Sequence, residues 1–228
     1  MMSEDGQRAP IDIAAADYLL STTRAVRRRL DLTRPVQPTI IERCIEIATQ
    51  APSGGNEQGW HFIVITNRIK LAILGEIYRR AFFDLSYMRR RAPSWNDAEE
   101  LQAAQTRRVM ESAGYLAENM ASVPAMIIPC IDGRAEHAGV LAQAGLYGSI
   151  LPAVWSLMLA LRARGVGSAW TTVHLLYEKE VARLLGIPDH VTQAALVPLA
   201  YFTGTGFKPA KRLPARERTY WDSWGKRR

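Results

Sequence analysis

The run "GSILPAVWSLMLALRAR", Gly148 to Arg164, constrains the fold of this chain more than any other stretch. Its apolar residues fall nearly all round a helical wheel, so a helix here has no face to leave in water. It predicts a central, buried helix, entered near Pro152 and packed by other elements. The apolar part, around Leu151 to Leu161, contains Pro152, Trp155 and Ser156 and is too short for a membrane span. With 228 residues, nearly half of them apolar, the chain can build one core around it.

Helices and strands are mixed in the remainder. Ile11 to Thr22 reads as a short helix. "PTIIERCIEIATQ" is a stronger one, with Pro38 in its first turn and capping-box spacing between Thr39 and Glu42. After the loop "APSGGNEQGW" comes "WHFIVIT", a strand rich in β-branched and aromatic residues. Helices are expected from Arg68 to about Arg80 and from Ala98 to Met120. "PAMIIPCID" reads as a strand in which Pro129 favours an edge or a bulge. "GSAWTTV" is a third strand and "AALVPLAYF" a fourth. Between them "YEKEVARLLGIP" is a helix closed by Gly186 and Pro188. No repeat and no Ser/Gly/Pro linker divides the chain, which reads as a single domain over residues 1–228. Strict βαβ alternation is absent, so the class is α+β, a sheet flanked by helices.

The formal net charge of +7 suggests an anionic partner without choosing one. No helix-turn-helix, zinc-finger or RRM pattern accompanies it, so nucleic acid is not the expected partner. No membrane partner is expected either. The start, "MMSEDGQRAP", carries two acids and no apolar h-region, unlike a signal peptide. Cys44 and Cys130 read as buried thiols, which fits a reducing, cytoplasmic location.

Three polar constellations stand out. In "TRAVRRRLDLTRPV", Arg24 and Arg27 lie three apart at a helix end, a spacing that puts two guanidinium groups on one face to grip a phosphate. The plain alternative is a basic stripe at a helix C-terminus. In the loop, Ser53, Gly54, Gly55, Asn56 and Gln58 offer closely spaced N–H groups and amides able to pair with a heterocycle edge; it can also be a well-packed turn. In "GFKPAKRLP", Lys208, Lys211 and Arg212 form an anion clamp or a solvated terminus. The four histidines have no metal-ligand spacing, no Gly-x-Ser-x-Gly elbow occurs, and "GVGSAW" is no dinucleotide fingerprint. Without an evident acid, base, nucleophile or metal, an enzyme of this sequence needs an organic cofactor for its chemistry.

The order of these pieces resembles the FMN-dependent nitroreductase superfamily from about Tyr18 to Pro214. The matching segments are "TRAVR", "PSGGNEQGW", "HFIVI", "LMLALRARGVG", "SAWTT", "EVARLLGIP" and "KPAKRLP". Thr23 stands where the family usually has its first arginine, Ala25 where serine is common, and Gly59 replaces the proline before Trp60. The resemblance implies a mostly antiparallel central sheet in an intertwined homodimer, FMN as cofactor and NAD(P)H as reductant. It implies ping-pong hydride transfer to nitroaromatic, quinone or related acceptors. Arg24, Ala25, Arg27, Lys211 and Arg212 would serve the flavin phosphate. Pro52, Ser53, Gly54, Gly55, Asn56 and Gln58 would lie against the ring system, reaching the FMN held mainly by the other subunit. Thr171 and Thr172 would approach N5. Residues 1–16 would be an N-terminal extension, 208–228 a C-terminal tail and about 78–120 a variable lid. In that lid Phe82, Phe83, Tyr87, Arg89 and Arg90 (with Arg91) would meet substrate. Related chemistries are reductive dehalogenation of halotyrosine-like substrates, for which Tyr78, Asp84 and Tyr87 are in the right region, and flavin binding without NAD(P)H turnover.

Overall fold

The computed structural model describes residues 11–84 and 100–228, which fall into two compact units. One is Arg24–Gly204. The other joins the chain's two ends, Met1–Thr23 and Thr205–Arg228. In the terminal unit the sequence forms α1 (Ile13–Thr22), capped by Asp12, whose carboxylate accepts the Ala15 N–H at 3.0 Å. Its C-terminal part holds a 3₁₀ turn, Ala215–Arg218.

The larger unit is built on an antiparallel sheet. Its strands are β1 (Trp60–Ile65), β2 (Ala125–Asp132), β3 (Val166–Ser168), β4 (Val191–Gln193) and β5 (Val197–Tyr201). The order is β1-β2-β5-β3, with β4 also paired to β2. The helices are α2 (Pro38–Ala48), α3 (Arg68–Phe83), α4 (Glu100–Asn119), α5 (Val140–Ala163) and α6 (Glu178–Leu185). Ala125, Ile127 and Ile131 of β2 point to one face, where they meet α2 and α5 in a core that includes Cys44, Ile150, Val154, Leu157 and Leu161. Met126, Ile128 and Cys130 are buried on the other face. A strand buried on both sides explains why β2 reads as a continuous apolar run rather than an alternation.

Several local expectations change. β2 is central, so of the edge or bulge that Pro129 favours it is the bulge that occurs: between the pairs Cys130–Gln193 and Ile127–Val197, residues 194–196 face only 128–129. The Pro129 carbonyl accepts the Ala194 N–H at 2.9 Å. In an antiparallel pair the N–H and C=O of a residue face the same neighbour, so the missing donor of Pro129 faces the break between β4 and β5, where no ladder bond is lost. β4 has no sequence signal of its own, because three residues carry too little pattern. α2 starts at Pro38 after an N-cap, Gln37, whose side chain makes no cap bond, so Thr39 and Glu42 lie inside the helix. α5 begins eight residues before Gly148 and contains Pro152. That proline forfeits one helical bond, to the Gly148 carbonyl, a loss outweighed by the buried face from Ile150 to Leu161. The longer helix reaches a mean hydropathy of 1.6 over its best 18 residues, which by length and composition alone would suit a membrane span. Its Ile150, Val154, Leu157 and Leu161 pack into the core of the sheet instead.

Candidate functional site

α1 ends at Thr22, Thr23 is extended, and residues 24–27 lie outside any helix. Arg24 and Arg27 therefore do not share a helical face. Arg24 and Ala25 are exposed, while Arg27 is half-buried. The segment from Arg24 onward is strapped to the sheet: Val26 N–H donates to Ser168 O at 2.8 Å and Asp31 N–H to Tyr201 O at 2.7 Å. Close approach requires a glycine on β3, since a Cβ on Gly167 would lie 3.0 Å from Val26. This strap aims Arg27 inward, where its guanidinium meets Ser112 Oγ of α4 at 3.4 Å, its one hydrogen-bond partner among the described residues. Burial holds its pKa below the ordinary arginine value, opposed by nearby Tyr78. A desolvated cation that faces only a hydroxyl is suited to an anion.

The loop after α2 is pinned rather than floppy. Gly54 N–H donates to Ser149 Oγ at 2.9 Å, and Ser149 donates in turn to Gly145 O at 2.7 Å. Asn56 N–H bonds Ser53 O, and Gln58 N–H bonds Ser53 Oγ at 3.2 Å. Gln58 Nε2 donates to Asn56 Oδ1 at 3.2 Å. Gly55, Asn56 and Gln58 all have positive φ, at 58°, 56° and 54°. Two non-glycine residues in that region mark a backbone fixed by its surroundings. The result is a rigid crest. Pro52, Gly54, Gly55, Asn56 and Gln58 are exposed and Ser53 is half-buried, and the N–H groups of Ser53 and Gly55 donate to nothing among the described residues. Under the crest lies a cavity of about 300 Å³, closed by Ile131 and Asp132 of β2 and by Ala142, Leu146 and Ser149 of α5.

A second cavity, of about 570 Å³, is lined by Tyr147 and Leu151 of α5, by Trp170 and Thr172 after β3, and by Leu175, Leu176 and Ala194. Its floor is the 3₁₀ turn Val173–Tyr177, held to α3 because the Arg80 guanidinium lies 4.2 Å over the Tyr177 ring and pairs with Glu180. The two threonines after β3 differ. Thr171 is buried, and both its N–H (3.1 Å) and its hydroxyl (2.6 Å) donate to Leu196 O. Thr172 borders the second cavity. Ser149 and Leu151 are two residues apart, about 200° around a helix, so the cavities open on opposite flanks of α5.

Lys211 and Arg212 lie exposed in the terminal unit. Phe82 is 7% exposed and packed against Tyr78 and Phe83, with ring centroids at 6.5 and 5.1 Å, so it belongs to the core rather than to a lid surface. Phe83 is 45% exposed. Tyr87, Arg89, Arg90 and Arg91 lie outside the described residues. Both thiols are free and buried; burial raises Cys44 and pushes Cys130 up to about 12, with Glu178 adding to the latter, so neither is a nucleophile. Among the described residues no group of three His, Cys, Asp or Glu side chains is placed to hold a metal. Ser149 and the lining residues Tyr147 and Trp170 escape sequence reasoning. The one signal for Ser149 is a hydroxyl inside an otherwise apolar run.

A helix-flanked antiparallel sheet, with a polar crest and a half-buried arginine whose one hydrogen-bond partner among the described residues is a hydroxyl, defines an α+β protein with room for an anionic ligand. The family model for the nitroreductase family matches residues 20–201, and the chain belongs to that family. It is 26% identical over 213 residues to an NADH dehydrogenase of Thermus thermophilus, covering 87% of this chain and 91% of that one. It is 27% identical over 183 residues to iodotyrosine deiodinase 1 of Rattus norvegicus, covering 80% and 60%. Among solved structures, the FMN-dependent nitroreductase of Mycobacterium smegmatis in complex with NADPH superposes with a TM-score of 0.65 at 20% identity, over 93% of this chain and all of the other. At that identity the likeness is one of fold.

Proposed function

We propose that this protein is an FMN-dependent NAD(P)H oxidoreductase whose acceptors are nitroaromatics, quinones or related flat molecules. The observation that carries it is Arg27, a half-buried cation with a single hydroxyl partner among the described residues, in a chain of the nitroreductase family. Arg27 suits the flavin phosphate. The second cavity, flanked by two aromatic rings and one threonine, suits an isoalloxazine, and the open N–H groups of the loop crest suit its polar edge. FMN held there would supply the hydride chemistry between NAD(P)H and the acceptor, in ping-pong order. The protein's own share is positioning. Thr172, rather than the already bonded Thr171, is the residue free to orient a ring nitrogen, and the apolar walls keep water away.

The reading includes a homodimer with shared sites. One chain's crest and its Thr172 cavity lie on opposite flanks of α5, so a single ligand needs the crest of another copy to be walled on both sides. Val140 and Leu141 of α5 are 84% and 88% exposed, apolar surface that a partner copy would cover. The dehalogenase alternative is favoured by the similarity to iodotyrosine deiodinase. It is weakened by Tyr78, which is 2% exposed and unavailable to a substrate.

The test is direct. Purified protein should release FMN, not FAD, on denaturation, and anaerobic NADPH should bleach it. Absence of flavin affinity after reconstitution with FMN would defeat the proposal. FMN that NAD(P)H fails to reduce would leave only a binding protein.

A further inference from the structure

The distribution of charge is uneven. Residues 208–228 hold eight Lys or Arg against two Asp or Glu, so six of the seven net positive charges sit in the last 21 residues. Three aromatic side chains, Tyr220, Trp221 and Trp224, lie among them. This tail has structure of its own. Trp221 N–H donates to Lys226 O at 2.8 Å, Gly225 turns the chain with φ 84°, and Lys226 pairs with Asp222 at 3.6 Å. The turn presents Trp224 at 90% exposure, beside the exposed Lys226, Arg227 and Arg228. The flavin reading uses Lys211 and Arg212 alone and leaves this turn without a role.

A fully exposed tryptophan ringed by cations suits two kinds of polyanion, and the ring geometry separates them. A single-stranded nucleic acid needs open aromatic faces on which successive bases stack. Here Arg228 lies 3.6 Å over the Trp221 ring and Arg227 lies 5.6 Å over Tyr220, which also meets Trp224 with centroids 4.7 Å apart; Trp224 is left as one open ring, not a row on which successive bases stack. A bilayer interface asks for no open face. It takes an amphipathic indole at headgroup depth, with cations against anionic lipid. A surface dock lies on the membrane and needs no spanning segment.

We infer that the C-terminal turn, Trp224 with Lys226, Arg227 and Arg228, docks this protein reversibly onto anionic phospholipid membranes. Docking is read from where the protein sits, not from turnover, so it stands or falls apart from the reductase reading.

The experiment uses the full chain with its cofactor and extruded vesicles, either pure phosphatidylcholine or phosphatidylcholine with about a third phosphatidylserine. Co-sedimentation at low salt should favour the anionic vesicles by at least about tenfold and collapse in high salt. Tryptophan emission should shift to the blue on binding. Substituting Lys226→Gln, Arg227→Gln and Arg228→Gln together should weaken binding roughly a hundredfold, and Trp224→Ala should abolish most of the blue shift. Both variants should keep the parent's melting temperature and far-UV circular dichroism, which shows that they fold. Equal partition onto both vesicle types, or none onto either, overturns the inference. So does tight binding of a single-stranded oligonucleotide without vesicle binding, which would assign the turn to nucleic acid.

Discussion

His174 makes the stability of this fold depend on acid in a way that can be isolated. It lies in the 3₁₀ turn under the larger cavity, is fully buried, and neither ring nitrogen has a hydrogen-bond partner among the described residues. Burial alone lowers its pKa from 6.5 to about 3. The native state therefore holds the neutral imidazole, whereas the unfolded chain takes a proton once the pH falls below about 6.5. Stability from this group is complete above that value and drains away as the pH falls toward about 3. Each pH unit inside the window costs about 1.4 kcal/mol, so the loss is about 1.4 kcal/mol near pH 5.5 and about 2.7 kcal/mol near pH 4.5. That is a large part of the ~5–15 kcal/mol that holds a domain folded. Urea denaturation of the parent and of His174→Leu, near pH 7.5 and near pH 4.5, measures it. Leucine removes the titration and two unpartnered polar atoms, so at the higher pH the variant should be equal to or more stable than the parent. The difference between the two proteins should then grow in the variant's favour by about 2.7 kcal/mol at the lower pH. Taking that double difference cancels every other titrating group. An unchanged difference across the two pH values would show that the imidazole is solvated or paired in the native state and would refute the argument.

Four further outcomes are expected. Arg27→Ala should lose a charge-assisted contact worth about 1.5–3 kcal/mol and weaken FMN by roughly ten- to a hundredfold, read by flavin fluorescence titration. Ser149→Ala should free the loop crest; since Gly54 is exposed and its N–H can turn to water, the cost should be only about 1 kcal/mol, a fall in melting temperature of about 2–4 °C, with a weakened cofactor as the larger effect. Thr171→Val should lower stability by roughly 1–3 kcal/mol through the lost bond to Leu196 O, while Thr172→Val should leave the melting temperature within about a degree and change the flavin spectrum or reduction rate; the reverse pattern would reassign the two. Co-refolding Arg27→Ala with Asn56→Ala should restore about a quarter of parental activity if each site is built from two chains with C₂ symmetry, and nothing if each chain is self-contained.

The sequence by itself determined what depends on local pattern. The all-round apolar run at 148–164 required a helix inside a layered core, and it is α5. The β-branched run at Trp60–Ile65 required a strand, and Gly186 with Pro188 marked the end of α6. The density of Gly, Ser, Asn and Gln at 53–58 announced a donor-rich loop, because few other residues can place so many donors on so tight a path. Tertiary structure decided what depends on partners distant in sequence. Arg24 and Arg27 look like a pair at helical spacing, yet their backbone is not helical, and with Val26 strapped onto Ser168 Arg27 is half-buried while Arg24 is exposed. Pro129 reads as an edge or a bulge, and only the break between β4 and β5 decides for a bulge in the central strand. Phe82 looks like a lid aromatic, yet Tyr78 and Phe83 enclose it. Thr171 and Thr172 are indistinguishable in sequence, and only the Leu196 carbonyl separates them. A residue's type fixes which bonds it can make, but which bonds remain open for a ligand is known only after folding has used the others.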